Sequence, residues 1–186
     1  MKKSILYALL VASISMYFIS CKKDDTTEPD DHDHGGEVIT AMKLIISDGV
    51  NPADTVTFSD PDGVGGNAPT IDSVILDNSN TYLMEILLLD ETKTPFDTIS
   101  NEVEAEGTTH LFVYTVNPAS GLMTATPNDL DVNGDPIGLA AQITTGSAGS
   151  GSLNIKLRHY NSANDKANGT NNYESDIDVT FGVMIQ

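Results

Sequence analysis

The stretch "DIDVTFGVMIQ" at the C-terminal end alternates strictly. Ile177, Val179, Phe181, Val183 and Ile185 take every second position, with Asp176, Asp178 and Thr180 between them. A period of two puts successive side chains on opposite faces of an extended chain, and a helix of 3.6 residues per turn cannot gather that set on one side. The segment is therefore predicted to be a β-strand with one apolar and one wet face. "SLNIKLRHY" repeats the pattern, setting Leu153, Ile155 and Leu157 against Asn154, Lys156 and Arg158, and "DTVTFSD" does so briefly through Val56 and Phe58. Strands of this type belong to antiparallel sheets that keep one face on a core and the other in water.

Six further runs read as strands: "EVITAMKLIIS", "TIDSVILD", "TYLMEILLLDE", "THLFVYTVN", "LMTATP" and "LAAQITT". Gly, Pro, Asn and Asp clusters such as "DGVNPAD", "DPDGVGGNAP", "NPASG", "NDLDVNGDPIG" and "NSANDKANGTNN" punctuate them, and "TGSAGSG" reads as a flexible hairpin. Only "FDTISNEVEAEG" is ambiguous. Ile99 and Val103 are spaced as one helical turn, yet Val103 and Ala105 alternate with glutamates as in a strand. The predicted fold is all-β: a single antiparallel β-sandwich, immunoglobulin- or fibronectin-like, of about nine strands over residues 37–186. That length is enough for one real core.

Residues 1–20 do not belong to it. "MKK" is a positive start, "SILYALLVASISMYFIS" is apolar with small residues, and the apolar run 5–19 is too short for the ~20-residue helix that spans a hydrocarbon core. A secretory signal peptide is the expectation. It ends at Cys21, the only cysteine. "FISC" resembles the lipobox of bacterial lipoproteins, which implies that the Cys21 thiol takes a diacylglycerol and becomes the acylated first residue of the mature chain. A thiolate is nucleophilic enough for that thioether. With Cys21 modified, no thiol would remain for a disulfide, a thiol enzyme or a cysteine zinc site.

The segment 21–36, "CKKDDTTEPDDHDHGG", has no aliphatic or aromatic residue beyond the cysteine and cannot bury enough apolar surface to offset its ordering entropy. It reads as a solvated tether. "KKDD" resembles the export signal of Bacteroidota surface lipoproteins. The acidic His-containing tether, the "VIT" of the first strand, the "NGDPIGL" turn and the "LRHY" strand end together resemble a group of small Bacteroidota outer-membrane or surface lipoproteins of poorly defined function. The resemblance implies lipid attachment to the outer membrane, with display at the cell surface. A two-lobed periplasmic-binding architecture does not fit, because the chain lacks the alternation of strand and helix that such lobes require. The chain carries 27 acidic against 9 basic residues, a net charge of −18, so nucleic acid and anionic lipid would repel it. Contact with the membrane then falls to the lipid anchor.

Two segments have residue types suited to metal ions. His32, Asp33 and His34 in the tether combine imidazole with carboxylate, a set that suits zinc, copper or nickel. The other reading is a solubilising spacer. Asp129, Asp131, Asn133 and Asp135 alternate around Gly134 like the start of a calcium loop, but the twelfth position is Ala140 where a bidentate Glu would close the site. The other reading there is a polar hairpin, with Asn133-Gly134 supplying the positive φ. Asp60 and Asp62 form a second acidic loop whose glycines suit turn geometry. His110 and His159 read as strand-end residues with hydrogen-bond partners, His159 continuing the inward register of Leu157. Ca²⁺ and Zn²⁺ are the cofactor candidates.

No G-x-S-x-G, H-E-x-x-H, P-loop or dinucleotide fingerprint occurs. Absence of Trp lowers the sugar-binding readings. The expected function is non-enzymatic, with no catalytic residues: a lipid-anchored binding or accessory module, capturing a divalent metal for an outer-membrane receptor. The alternative is a structural or adhesive surface protein with calcium-stabilised acidic loops and a protein partner.

Overall fold

The structure, a computed structural model, describes residues 37–63 and 65–186. The chain divides into two units, Met1–Asp33 and His34–Gln186, and every element below belongs to the second. The signal segment 1–20, Cys21 and the tether 21–36 lie outside the described residues.

Ten strands and two short helices follow one another: β1 Ala41–Ser47, β2 Asp54–Ser59, β3 Thr70–Ile71, β4 Ser73–Leu76, β5 Thr81–Leu89, α1 Ile99–Ala105, β6 His110–Asn117, β7 Met123–Pro127, β8 Ala140–Thr145, β9 Gly149–Tyr160, α2 Ala163–Ala167 and β10 Tyr173–Ile185. They form two sheets, ordered β3-β2-β1-β5-β8-β7 and β4-β10-β9-β6. The fold is an all-β sandwich. Its core takes Met42, Leu44 and Ile46 of β1, Met84, Ile86 and Leu88 of β5, Leu153, Ile155 and Leu157 of β9, and Val179, Phe181, Val183 and Ile185 of β10, all buried. These are the residues that the period-two pattern selects. Each contributes roughly 1.5–3 kcal/mol relative to exposure.

The structure departs from the sequence reading at four points. The run "TIDSVILD" is two strands, which brings the number to ten. β3 pairs with β2 in the first sheet, whereas β4 pairs with β10 in the second, in parallel, so the sheets are not wholly antiparallel. Asp72 makes the break: its N–H donates to Thr57 O at 2.9 Å and its carboxylate accepts from Thr57 N at 3.0 Å, closing the edge of β2 before the chain changes sheet. The ambiguous segment is helix α1, with Ile99 and Val103 buried one turn apart. It covers a stretch of β5 that β8 leaves unpaired, where Ser100 Oγ accepts from Leu88 N at 2.6 Å. "TGSAGSG" does not form a hairpin within one sheet; it carries the chain from β8 to β9, across the sandwich. A short helix, α2, stands inside "NSANDKANGTNN", capped by Ser162, whose side chain accepts from Asp165 N.

Candidate metal centre

β6 and β9 are antiparallel neighbours, and their register sets His110 directly across from His159. Both side chains lie on the core-facing side of the four-stranded sheet, as the alternation through Phe112 and Leu157 requires. His110 is fully buried. The ring centroids are 4.2 Å apart and tilted by 40°.

Asp176 joins the pair through an irregularity. Glu174 and Ser175 oppose His159 and Arg158, and Ile177 opposes Leu157, so Asp176 has no partner on β9 and forms a β-bulge. Strict alternation backward from Ile177 assigns Asp176 to the wet face. The extra residue breaks that parity, and the side chain is only 6% exposed. Glu37 arrives from the other sheet, a few residues before β1, at the point where Thr40 N pairs with Leu89 O.

His110 Nδ1 lies 3.1 Å from the carbonyl oxygen of Glu106, at the C-terminal end of α1. A carbonyl offers only lone pairs, so Nδ1 is the donor and Nε2 of the neutral ring carries the lone pair. That Nε2 is 3.7 Å from Asp176 Oδ2 and 3.9 Å from Glu37 Oε1. It is buried without a hydrogen-bond partner, as are Asp176 Oδ2 and Glu37 Oε2. The imidazole lone pair thus faces two carboxyl groups with no hydrogen bond to either.

The electrostatics follow. Burial, followed by the neighbouring Asp176, Glu102 and Glu106, pushes the Glu37 carboxyl up to about 7. Burial also raises Asp176, with His159 opposing the rise and Glu174 adding to it. Burial, then His159, pushes the His110 imidazole down to about 4, the Glu106 carbonyl working the other way. Desolvation disfavours every charge here. A proton or a metal cation is what can lie between such groups and satisfy them.

Among the described residues two sets of donors converge, each with one atom per residue within 4.8 Å of the others: Glu37, His110 and Asp176, and Glu106, His110 and His159. His110 belongs to both. Neither set includes the residues singled out for calcium. Asp129 accepts from Gly138 N at 2.8 Å through one oxygen and from Leu139 N at 3.0 Å through the other. Asp131 accepts from Asn133 N at 2.8 Å and Asp135 N at 3.0 Å, and its second oxygen meets the Lys166 ammonium at 2.8 Å. Gly134 has φ +87°. These carboxylates hold a hairpin loop together, and the positive charge beside them is a buried lysine that also donates to Gly107 O at 2.5 Å. In the other acidic loop, Asp62 accepts from the backbone and side-chain N–H of Asn67, which is turn chemistry.

His32, Asp33 and His34 lie outside the described residues. Sequence reasoning missed Glu37, taken as the first residue of the domain, and Asp176, assigned to solvent. Its reading of His110 holds for Nδ1, which has its partner, and not for Nε2. The inward register of His159 was the one visible signal; the cross-strand pairing that unites it with His110 depends on a register no periodicity reveals. A shallow depression lined by Asp48, Tyr82, Asn128 and Gln142 shares no residue with the cluster. No protein-family model matches the chain, and neither a curated protein nor a solved structure matches it.

Proposed function

We propose that this protein is a non-enzymatic, lipid-anchored module of the outer membrane, displayed at the cell surface, that binds a divalent cation through its β-sandwich as an accessory to a membrane receptor. The observation that carries the cation reading is the convergence of His110 Nε2 with the carboxyl groups of Asp176 and Glu37, of which Nε2, Asp176 Oδ2 and Glu37 Oε2 are buried without a hydrogen-bond partner. Full burial of His110 supports a binding role over a catalytic one, since a substrate would have to reach an imidazole with no exposed surface. The "FISC" motif and acidic tether support the anchor.

A ligand that binds only the folded state raises its stability, by about 2.7 kcal/mol at a hundredfold excess over Kd. Thermal unfolding of the mature chain, stripped with a chelator and then supplied in turn with Zn²⁺, Cu²⁺, Ca²⁺ and Mg²⁺, is the test. A rise in Tm with at least one ion is expected, and no response to any of them would sink the reading. For the anchor, Cys21→Ser should move the protein out of the membrane fraction.

A further inference from the structure

We infer that the buried cluster is a site for a late first-row divalent metal of the zinc class, with His110 Nε2 and the carboxylates of Asp176 and Glu37 as its three protein ligands. This rests on the cation-binding reading above and specifies its chemistry and its residues.

The argument starts from the nitrogen. Calcium and magnesium bind through oxygen, calcium with six to eight of them. Imidazole suits zinc, copper and nickel. Here the imidazole is already set for ligation, because its Nδ1–H is held by the Glu106 carbonyl and its lone pair therefore sits on Nε2. Metal-binding histidines are oriented by such an outer hydrogen bond, which fixes both tautomer and ring plane. Two carboxylates and one histidine make a donor set of the kind zinc accepts, with a fourth position left for water or another ligand.

Distances agree with this. Two atoms each ~2.05 Å from a tetrahedral ion lie ~3.3 Å apart. Nε2 stands 3.7 and 3.9 Å from the two carboxylates, so contraction by a few tenths of an ångström would bring them to ligand spacing. Hydrogen-bonded partners would be nearer than that, and they would include a donor. The surroundings favour a cation as well: Glu102, Glu106 and Glu174 are close enough to act on Glu37 or Asp176. Lys166 opposes them weakly, its ammonium being engaged by Asp131.

The ligands also come from separate parts of the fold. His110 and Asp176 belong to β6 and β10 of the four-stranded sheet, whereas Glu37 precedes β1 of the six-stranded one. A bound ion would join both sheets where the tether enters the domain.

The test uses the mature chain with His32→Ala and His34→Ala, so that the tether contributes no imidazole. Metal-free protein is titrated with Co²⁺ as an optical probe, then with Zn²⁺ as competitor, and separately with Ca²⁺. One equivalent of Co²⁺ should give visible d–d absorption that Zn²⁺ abolishes, and Ca²⁺ should leave it unchanged. His110→Ala, Asp176→Asn and Glu37→Gln should each weaken Zn²⁺ by roughly 100-fold or more. Glu37 lies ahead of β1, so the Glu37→Gln variant keeps the fold intact, and an unchanged metal-free melting curve verifies that. Binding of Ca²⁺ alone would overturn the zinc-class assignment and leave the cation reading standing. Silence from every ion would remove both. Zn²⁺ binding unaffected by all three substitutions would show that the ion sits elsewhere.

Discussion

His110 and His159 face each other across the β6–β9 ladder with ring centroids 4.2 Å apart, the first fully buried and the second partly exposed. Each ring limits where the other can turn, and the Nδ1 hydrogen bond to Glu106 fixes the plane of His110. His159 acts here as a positioning residue. We expect His159→Ala to weaken Zn²⁺ by about tenfold at unchanged stoichiometry. His159→Phe, which restores a flat ring, should recover most of that loss in the same titration.

The bulge at Asp176 offers a sharper test. Because Glu174, Ser175 and Ile177 pair with three consecutive β9 residues, deleting Asp176 leaves a continuous ladder. The deletion variant should therefore fold, with a metal-free Tm equal to the parent's or higher. Its Tm should no longer respond to Zn²⁺. Loss of folding on deletion would mean that the bulge has a structural role beyond aiming one carboxylate.

The Asp131–Lys166 pair joins the β7–β8 loop to α2, with each side chain 2% exposed. Removing one partner of a buried pair costs about 3–5 kcal/mol, so Lys166→Met should lower stability by roughly 3 kcal/mol in chemical denaturation. The effect of pH has a definite sign. Burial raises the Asp131 carboxyl, but the hydrogen bond from Lys166 and the N–H groups of Asp135 and Asn133 together outweigh it and hold the group below its ordinary 3.8. A lowered folded value gives stability that is complete above the unfolded value and is lost as pH falls through the folded one. Asp131→Asn should thus cost most at neutral pH, and its difference from the parent should shrink below pH ~4.

Two glycines lie where the backbone of a neighbouring segment leaves no room for a side chain. A Cβ on Gly151 would run into the backbone oxygen of Asn117, and one on Gly146 into that of Gly121. Neither contact can be relieved by turning a side chain. Gly151→Ala and Gly146→Ala should each destabilise by about 1–3 kcal/mol, the usual cost of overpacking. Urea midpoints would measure it.

Since Glu37 lies at the entrance to the domain, metal loading should quieten that entrance. Amide hydrogen exchange over residues 37–40 is expected to slow when Zn²⁺ is added and to stay unchanged in the Glu37→Gln variant. Equal exchange with and without the ion would place Glu37 outside the coordination set.

Much of the fold was legible because β-strands announce themselves through period two. Met84, Ile86 and Leu88 or Val179, Phe181 and Val183 cannot be arranged otherwise and still be buried together. What escaped was non-local. The parallel pairing of β4 with β10 depends on a crossover at Asp72 that no alternation marks, and α1 was undecided because its buried residues, Ile99 and Val103, fit both periods until β5 offered a surface to cover. The candidate site was largely hidden for the same reason. Its residues come from positions 37, 110, 159 and 176, united by register and by one bulge, and neither spacing nor composition encodes either. The "NDLDVNGDPIG" loop shows the converse: residue types typical of an ion site serve a hairpin whose internal N–H groups and a distant lysine take up the carboxylates of Asp129 and Asp131.

β10 is the last of the described strands and an interior strand of its sheet, with β9 on one side and β4 on the other. Gln186 N donates to Leu76 O, and its own carbonyl accepts from Asn78. During synthesis, β4, β6 and β9 all emerge before the strand that completes their sheet exists. The four-stranded layer can close only once β10 has been made and has entered between β9 and β4. Until then Val179, Phe181, Val183 and Ile185 are missing from the core and β4 has no partner in its sheet, so a late-made strand, not the early ones, decides when the sandwich closes.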